Sequence, residues 1–357
     1  MVSGPNGAGK TNLIDAVHYL CMSRSFVTTS DSHAIHLGSS SFCLKGVFEG
    51  SIRPKIEIEV SYQRGDGKSI QVNGVKLDRM SDLIGMVPVV VLSPDDRQLT
   101  FDGPEYRRNF LDAMISQVDA AYLRDLIDFR RVMRQRNRVL LAYRDQPQAA
   151  ASQIDPWDDQ FVRLAARIIH RRHVILQSFG SYLEQAYGRM AGVAHKPSFK
   201  YRTQADNPDD IGKIETDLRS ELASKFEKDL DRGITTVGPH RDDITFMLDE
   251  LELRRFGSQG QHRLFALSLK VAELYFFSDM LDDLPIFLLD DVFGDLDPKK
   301  TEVLMQMLAD HPGQVCITAA NTSLLERLID WENPENRLIQ VDSGRLTVSP
   351  DTSDVLA

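Results

Sequence analysis

The sequence predicts an α/β fold with a second, helical lobe, and three observations lead to this prediction. Residues 4–11 read GPNGAGKT, a glycine-rich loop followed by an amphipathic helical pattern. The apolar run Ile286–Leu289 ends in two carboxylates, Asp290 and Asp291. Between these two segments, residues 96–231 carry long helical patterns. Such a loop and such a strand are typical of open α/β sheets, in which ligands bind at the carboxyl ends of the strands.

Composition excludes several classes of protein. The chain has 357 residues, of which 42% are hydrophobic and 26% are charged, as in an ordinary globular protein. Its formal net charge of -10 excludes a basic coat for nucleic acid. No apolar run reaches the roughly 18 residues of a membrane helix. The scattered Cys21, Cys43 and Cys316 exclude a disulfide scaffold and a cysteine-based zinc site. We therefore expect a cytoplasmic protein with no membrane partner.

The first part of the chain reads as α followed by β. The apolar stripe of residues 10–22 predicts a helix. Alternation and glycine-rich turns in 43–62 and 68–77 predict antiparallel strands. The unbroken apolar run at 87–92 predicts a buried strand.

The middle part reads as helices, and the last part returns to α/β. Helical patterns cover 105–145 and 158–191, with Pro147 and Pro156 between them. The remaining predicted elements are a helix over 259–281, strands over 286–289 and 315–318, and a frayed tail from Ser349. We predict a discontinuous lobe I from 1–95 and 232–357, and a helical lobe II from 96–231.

Residues 4–11 match the phosphate-binding pattern G-x-x-x-x-G-K-[ST]. In such a loop, backbone N–H groups surround phosphate oxygens at a helix N-terminus. Lys10 would reach the β- and γ-phosphates, and the Thr11 hydroxyl would bind Mg²⁺. A glycine-rich helix entry without nucleotide is the alternative, and the fit of the whole octet argues against it. The predicted nucleotide-binding residues, with ATP and Mg²⁺ as cofactors, are Gly4, Pro5, Asn6, Gly7, Ala8, Gly9, Lys10, Thr11 and Asn12.

Little sequence precedes this loop. A phosphate-binding loop normally follows a buried strand, and only Met1, Val2 and Ser3 stand before Gly4. A strand of about 5–6 residues does not fit there. We therefore expect a chain shortened at its N-terminus, through cloning or a misplaced start codon.

The two carboxylates are candidates for metal binding and catalysis. Asp290 would hold Mg²⁺ directly or through water, and Asp291 would polarise the attacking water. A strand that simply ends in an acidic turn is the alternative, and the phosphate loop favours the functional interpretation. The predicted catalytic residues are therefore Asp291 and Lys10, and the predicted metal-binding residues are Thr11 and Asp290.

Two segments flank the carboxylate strand. Ser258 and Gln261 fit a capping box at the start of the preceding helix, and an exposed helix N-terminus is an anion site. ATP-binding-cassette (ABC) proteins carry here a signature that touches the γ-phosphate bound by another subunit. A well-capped helix without a ligand is the alternative. The residues predicted to act in trans are Ser258, Gln259, Gly260 and Gln261. The acidic turn after the strand occupies the D-loop position, with Asp295 and Asp297 as candidates.

The long segment between the phosphate loop and the carboxylates narrows the class. Residues 96–231 are too short and too interrupted by proline for a long coiled coil, and they lack the CxxC of a zinc hook. This argues against the long-armed chromosome-organising and break-repair ATPases. An ATPase subunit of a transporter stays open as an alternative, although such subunits usually lack an arginine-rich helical insert.

Eight stretches, in order, carry a more specific resemblance. They are GPNGAGKTNLIDAVHYL at 4–20, SRSF at 23–26, VVVLSPDD at 89–96, RRNFLDAMISQVDAAYL at 107–123, RQRNRVLL at 134–141, GPHRDD at 238–243, SQGQHRLFALSLKVAE at 258–273 and LLDDVFGDLD at 288–297. Together they resemble the RecF family of bacterial recombination mediators. The resemblance implies a two-lobed ABC-type head, an ATP-dependent homodimer, binding to gapped or junction DNA, and slow ATP hydrolysis. It also implies partnership with RecR and RecO in loading RecA onto single-stranded DNA.

Several positions depart from the family pattern. The segment that precedes the phosphate loop in the family is absent, and Gly294 stands where the family usually has serine. No switch histidine, the residue that contacts the γ-phosphate in transporter ATPases, follows the last predicted strand. Thr318 or Asn321 is the candidate to make this contact in its place. Asp291 stands where most cassette ATPases have glutamate, and its shorter reach is expected to slow hydrolysis. A DNA-binding module with negligible hydrolysis therefore stays open as a second alternative.

Arginines of the middle part are the candidates for DNA binding. Arg130, Arg134 and Arg138 are spaced by four and share one helical face. They would contact phosphates without reading bases. A second group has similar spacing and consists of Arg163, Arg167, Arg171 and Arg172. A solvated helix face or internal salt bridges is the alternative for both groups. The segment 238–243 predicts a rigid turn, without a catalytic role for its histidine.

Overall fold

The computed structural model describes residues 1–50, 52, 54–192, 195–320 and 322–348, which form both helices and strands. The strands are β1 (Val2–Ser3), β2 (Ser41–Phe48), β3 (Ile56–Gln63), β4 (Gly67–Val72), β5 (Val75–Lys76), β6 (Val89–Leu92), β7 (Pro197–Arg202), β8 (Asp243–Leu248), β9 (Leu251–Glu252), β10 (Ile286–Asp290), β11 (Val315–Ala319), β12 (Ile339–Asp342) and β13 (Arg345–Val348). The helices are α1 (Lys10–Met22), α2 (Gln98–Phe101), α3 (Pro104–Val118), α4 (Ala120–Ala142), α5 (Pro147–Ala191), α6 (Ile211–Arg232), α7 (Leu253–Phe256), α8 (Gln259–Met280), α9 (Pro298–Ala309) and α10 (Ser323–Leu328). The tail expected from Ser349 lies outside the described residues.

The chain divides into two units, each assembled from separate segments. Unit 1 consists of Met1–Asp96, Ala186–Val193 and Leu267–Ala357, and unit 2 consists of Arg97–Gln185 and Ala194–Ala266. The sequence-based division assigns residues 232–266 to lobe I, whereas in the structure they group with unit 2. The reason is that β8 pairs antiparallel with β7, so this segment completes a small sheet of order β7-β8-β9. The two lobes as functional bodies remain a prediction.

A mixed sheet forms the centre of unit 1. Within the described residues its order is β13-β12-β1-β11-β10-β6. The β12–β13 pair is antiparallel, and every other neighbouring pair is parallel. The strand before the phosphate loop, for which the sequence left little room, consists of the two residues Val2–Ser3. These two residues pair with β11 on one side and with β12 on the other.

Helix α1 joins this sheet to a second one, and it confirms the helix predicted for residues 10–22. Its apolar residues Ile14, Leu20 and Cys21 are buried in one cluster with Leu288 of β10 and Ile58 of β3. Strand β3 belongs to the antiparallel sheet β2-β3-β4-β5, which was predicted from alternation. The phosphate loop therefore leads into a helix whose buried apolar side chains pack with residues of both sheets.

The helix predicted for 105–145 is divided at Asp119. The backbone of Asp119 is extended, and its side chain accepts hydrogen bonds from the N–H groups of Ala121 and Tyr122. Asp119 thereby caps α4, which begins at the next residue. An aspartate before an apolar stripe is a start signal for a helix, and the long apolar pattern concealed it.

Pro156 does not separate two helices, as the sequence suggested. Helix α5 begins at Pro147 and continues through Pro156 to Ala191. A proline inside a helix removes one backbone hydrogen bond. Here the buried side chains of Ile154 and Phe161 anchor the helix on either side of it. None of the helices formed by the described residues, α5 included, is long and apolar enough to cross a membrane.

A buried arginine joins the elements of unit 2. Arg172 on α5 is only 2% exposed. Its guanidinium donates to the carboxylates of Asp112 and Asp242 at 2.8 and 3.2 Å. It also donates to the Pro239 carbonyl and the Tyr122 hydroxyl at 2.7 and 3.0 Å. Because charges removed from water stabilise one another only while their partners are present, loss of the guanidinium would leave buried carboxylates uncompensated.

We expect Arg172→Met to lower the free energy of unfolding by about 3–5 kcal/mol, because it leaves Asp112 and Asp242 without their buried cation. The matched control is Arg171→Met. Arg171 is the neighbouring residue, and its ion pair with Asp119 leaves the arginine side chain 48% exposed. A surface pair contributes about 0–1 kcal/mol, so the control is expected to lose little. Urea unfolding followed by circular dichroism measures both, and equal losses would contradict the role of Arg172.

Candidate functional site

The glycines of the phosphate loop adopt conformations that other residues avoid. Gly7 and Gly9 have φ angles of 79° and 109°, in the left-handed region that favours glycine. A Cβ on Gly4 would lie 2.2 Å from the carbonyl oxygen of Val341, so the loop passes too close to β12 for a side chain. Gly9 is the N-cap of α1, and no side chain of the described residues caps this helix. The first N–H groups of α1 are therefore placed to bind an anion.

Lys10 lies across its own loop. Its ammonium donates to the carbonyl oxygens of Gly4 and Pro5 at 2.8 and 3.0 Å, and the residue is buried. The β12–β13 turn supports the loop from outside, because the N–H of Gly344 donates to the carbonyl of Ala8 at 3.0 Å. The ammonium is thus held against the loop, and its contact with phosphate stays a prediction.

Thr11 and Asp290 meet, although 279 positions separate them along the chain. The Thr11 hydroxyl lies 3.0 and 2.9 Å from the two carboxylate oxygens of Asp290. Asp290 is buried at the end of β10. Hydroxyl and carboxylate oxygens are ligands that Mg²⁺ prefers. The chemistry of this pair therefore fits the metal ion that the sequence predicted.

Asp291, the other predicted carboxylate, has an unusual backbone. Its φ is +50°, which is uncommon outside glycine, and its side chain is exposed. Its N–H lies 3.0 Å from the Thr318 hydroxyl and 3.3 Å from the Thr318 carbonyl oxygen. Thr318 was a candidate for the switch position, but its hydroxyl donates to the Asp290 carboxylate and accepts from the Asp291 backbone N–H. The other candidate, Asn321, lies outside the described residues.

Two polar residues of α1, which no sequence motif marked, hold the SRSF segment. Asp15 accepts from the Ser25 hydroxyl and the Phe26 N–H at 2.6 and 2.8 Å. His18 Nδ1 donates to the Arg24 carbonyl at 3.0 Å. Burial, followed by the nearby charge of Arg24, lowers the pKa of His18 to about 3, and burial raises the pKa of Asp15. Polar residues three positions apart on an otherwise apolar stripe were the available signal.

The capping box predicted at the signature is present in unit 2. The N–H of Ser258 donates to the side-chain oxygen of Gln261 at 2.8 Å, and the N–H of Gln261 lies 3.3 Å from the Ser258 hydroxyl. Helix α8 begins at Gln259, and both Gln259 and Gly260 are exposed. Its N-terminus is therefore accessible to an anion.

The D-loop candidates lie between β10 and α9. Asp297 caps α9, because its carboxylate accepts from the N–H of Lys300 at 3.0 Å. The same carboxylate forms an ion pair with the Lys300 ammonium at 3.0 Å. Asp295 ends a short 3-10 turn, and its side chain lies outside the described part of the structure.

The three arginines proposed for DNA contact share one exposed face of α4. Arg130, Arg134 and Arg138 are all exposed. Arg130 forms a loose ion pair with Asp112 at 3.4 Å. Their neighbour Arg136 is fully buried, and it is one of the residues that hold unit 2 together. Exposure of the face keeps the predicted phosphate contacts geometrically possible.

The second arginine group is largely engaged inside unit 2. Arg167 makes a bidentate pair with Asp125, at 2.8 and 2.6 Å. Arg171 pairs with Asp119, and Arg172 is the buried arginine described above. These contacts tie α5 to α4, which favours the salt-bridge interpretation for these three residues.

The GPHRDD segment forms the predicted turn. The ring of His240 packs between Phe129 and Phe161, and its Nε2 donates to the Thr235 carbonyl at 3.0 Å. Burial lowers the pKa of His240 to about 4, so the ring is neutral near pH 7. The next carboxylate in the turn, Asp242, binds Arg172. These contacts give the segment a structural role in the core of unit 2.

Comparison with known proteins identifies the family. The domain described as "RecF/RecN/SMC N terminal domain" matches residues 1–339. The DNA replication and repair protein RecF of Salinibacter ruber is 42% identical over 358 residues, covering 98% of this chain and 87% of that protein. The chain belongs to the RecF family. RecF of Chloroherpeton thalassium is 40% identical over 324 residues, covering 89% of this chain and 87% of that protein.

Solved structures agree with this assignment. A structure of the recombination mediator protein RecF-ATP in the RecFOR pathway superposes with a TM-score of 0.87 at 27% identity, covering 98% of this chain and 90% of that chain. The Smc head domain from Pyrococcus furiosus gives a TM-score of 0.56 at 13% identity, covering 99% and 90%, and shows the fold alone. The resemblance drawn from the motifs is confirmed, as is the α/β ABC-ATPase head with many helices. As a RecF protein, the chain is a DNA replication and repair protein.

Stability is expected to depend on pH through His18. The folded protein keeps this ring neutral to about pH 3, whereas the unfolded chain takes up a proton near the ordinary value of 6.5. Stability therefore falls as the pH decreases between these values. His18→Asn retains a donor for the Arg24 carbonyl and removes the titration. We expect the free energy of unfolding of the wild type, relative to H18N, to fall by about 1.4 kcal/mol per pH unit.

Urea unfolding at several pH values, from neutral down to about pH 4, measures this difference. His36→Asn, which removes an exposed histidine of the same unit, is the control. If the stability difference between wild type and H18N does not change with pH, burial of His18 is not the cause. The same follows if the difference between wild type and H36N changes with pH by an equal amount.

Proposed function

We propose that this chain is an ATP-dependent DNA clamp in recombinational repair of gapped or stalled-fork DNA. The observation that carries the proposal is the contact of the Thr11 hydroxyl with the Asp290 carboxylate, beside the loop that holds Lys10. The clamp would dimerise on ATP and hydrolyse it slowly, with stimulation by DNA. It would act in the cytoplasm, with RecR and RecO, to load RecA onto single-stranded DNA.

The phosphate loop would bind the nucleotide through groups that are already in place. The uncapped first turn of α1 offers N–H donors to phosphate oxygens, and residues 4–12 line this end of the helix. Lys10 would exchange its two loop carbonyls for phosphate oxygens. Thr11 and Asp290 would hold Mg²⁺. When bound, Mg²⁺ supplies neutralisation of the negative charge that develops on the phosphate oxygens.

Asp291 would act as the general base. Its carboxylate would accept a proton from the attacking water, and the water oxygen would form a bond to the γ-phosphorus. The bond between the γ-phosphorus and the bridging oxygen would break, and that oxygen would leave with ADP. The reaction consumes ATP and water and yields ADP and phosphate. The short aspartate side chain supports a slow reaction, which suits a clamp that is released by hydrolysis.

A second copy of the chain would complete each site. The exposed N-terminus of α8 would approach the γ-phosphate bound by the other copy, with the Ser258 hydroxyl and the following N–H groups as donors. The residues proposed to act in this way are Ser258, Gln259, Gly260 and Gln261. Asp295 and Asp297 would lie at the same interface as D-loop residues.

DNA would be held through its phosphates. The exposed arginines of α4 offer a row of cations that recognises backbone and carries no base readout. This is consistent with a protein that recognises a DNA structure, such as a gapped duplex or a junction between single- and double-stranded DNA.

Light scattering with ATP and Mg²⁺ tests the nucleotide site. We expect wild type to form a dimer and Lys10→Ala to stay monomeric, with ATP binding roughly 100-fold weaker, because the charge-assisted hydrogen bonds from the ammonium to phosphate can no longer form.

Asp291→Asn should still dimerise but hydrolyse ATP roughly 100-fold more slowly. The control is Lys45→Ala, since Lys45 forms an exposed ion pair with Glu57 in the same unit. Dimerisation of K10A at the wild-type ATP concentration would overturn the proposal. Equal turnover of wild type and D291N would favour a DNA-binding module with negligible hydrolysis.

The salt dependence of DNA binding tests the arginine face. In the double variant Arg134→Gln and Arg138→Gln, we expect the slope of log K against log salt concentration to decrease by about 0.9 for each duplex phosphate that the protein no longer neutralises. The control carries Arg167→Gln and Arg171→Gln, which removes two exposed arginines that are paired with Asp125 and Asp119. If the slope changes only in the control, the α4 arginines do not bind DNA, and the proposal for this face is wrong.

A further inference from the structure

One buried hydroxyl binds both carboxylate residues of the site. The Thr318 hydroxyl donates to Asp290 at 2.7 Å, and it accepts from the N–H of Asp291 at 3.0 Å. A hydroxyl has one proton to donate, and this proton goes to the Asp290 carboxylate, which can only accept when ionised. A lone pair of the same oxygen is therefore directed at the Asp291 N–H. Both functions of the hydroxyl are used, so it is not free for a phosphate contact.

The register of the sheet places Thr318 at this point. Thr318 lies on β11 opposite Asp290 of β10 on one side and opposite Val2 of β1 on the other. Its side chain is completely buried. It therefore lies between the strand that leads into the phosphate loop and the strand that ends in the carboxylates.

The same residue holds the backbone of Asp291. The Asp291 N–H points at both the hydroxyl and the carbonyl oxygen of Thr318, the latter at 3.3 Å. The φ of +50° at Asp291 is disfavoured for a residue with a Cβ and needs support from its surroundings. Thr318 supplies two acceptors for this support.

We propose that Thr318 is a positioning residue, whose hydroxyl fixes the carboxylate of Asp290 and the backbone that carries Asp291. Thr318 itself touches no substrate. This inference rests on the proposed function, because it assigns the two carboxylates the roles of metal ligand and general base. It predicts that loss of the hydroxyl reduces turnover far more than it reduces affinity for ATP.

Thr318→Val removes the hydroxyl and keeps the shape of the side chain, whereas Thr318→Ser keeps the hydroxyl and removes a methyl group. We expect T318V to lower kcat for ATP roughly 10- to 100-fold, which corresponds to one hydrogen bond to a charged group. Its KM should stay within about threefold of wild type, and its Mg²⁺ requirement should rise. T318S should recover most of kcat. Thr347→Val, at an exposed position of β13, is the control.

A second measurement needs no nucleotide. Hydrogen–deuterium exchange of the Asp291 amide in the free protein should accelerate in T318V and stay slow in T318S and T347V. If wild type does not bind ATP, the proposed function fails, but this exchange still tests the contact. The inference would be overturned if T318V matched wild type in turnover, in Mg²⁺ requirement and in exchange of the Asp291 amide. Equal impairment of T318S and T318V would also overturn it, because packing of the methyl group would then explain the effect.

Discussion

Parallel pairing of β11 with β1 on one side and β10 on the other constrains every group of the phosphate site. In a parallel sheet the carboxyl ends of neighbouring strands meet at one edge. Val2, Thr318 and Asp290 are matched across three strands, so the loop after β1 and the carboxylates after β10 must emerge together. A shift of one residue in either pairing would turn Thr318 to the other face of the sheet. The contact between Thr11 and Asp290 is therefore a consequence of register as well as of residue type.

Local signals predicted the parts of the site that depend on neighbouring residues. The octet at the start of α1, the carboxylates after an apolar run and the capping box of Ser258 and Gln261 could each be predicted from a short segment. The roles of Thr318 and Val341 were not legible in the same way, because each acts through a strand distant in sequence. Pro156 suggested a helix boundary that the structure does not have, whereas Asp119 marks a boundary that the sequence pattern did not indicate. Tertiary packing overrode the helix-breaking residue, and a helix cap lay concealed inside a continuous apolar pattern.

The arginines illustrate how charge is divided between folding and binding. Arg136 donates to Asp158 and Asp229 at 2.6 and 3.1 Å and is fully buried, whereas Arg134 and Arg138 on the same helix are exposed. The spacing of four selected Arg130, Arg134 and Arg138 and left out Arg136, but spacing alone did not show that Arg136 is buried. Arg136 follows Phe129 and Val132 on the apolar stripe of α4 and precedes Leu140, all of which are buried. An arginine in place of an apolar residue on such a stripe indicates an internal cation, and the same reasoning applies to Arg172.

The left-handed backbone at Asp291 limits which residues evolution can place there. Asparagine, aspartate and glycine enter this region most readily, because a short polar side chain can form local hydrogen bonds or a Cβ is lacking. The backbone alone would strongly disfavour a β-branched residue, before any question of catalysis arises. Aspartate, which most cassette ATPases replace with glutamate, is thus well suited to this conformation, at the cost of one methylene of reach. The left-handed backbone at Asp291 would then account for the aspartate, and the shorter reach of the aspartate for the slow hydrolysis expected of this protein.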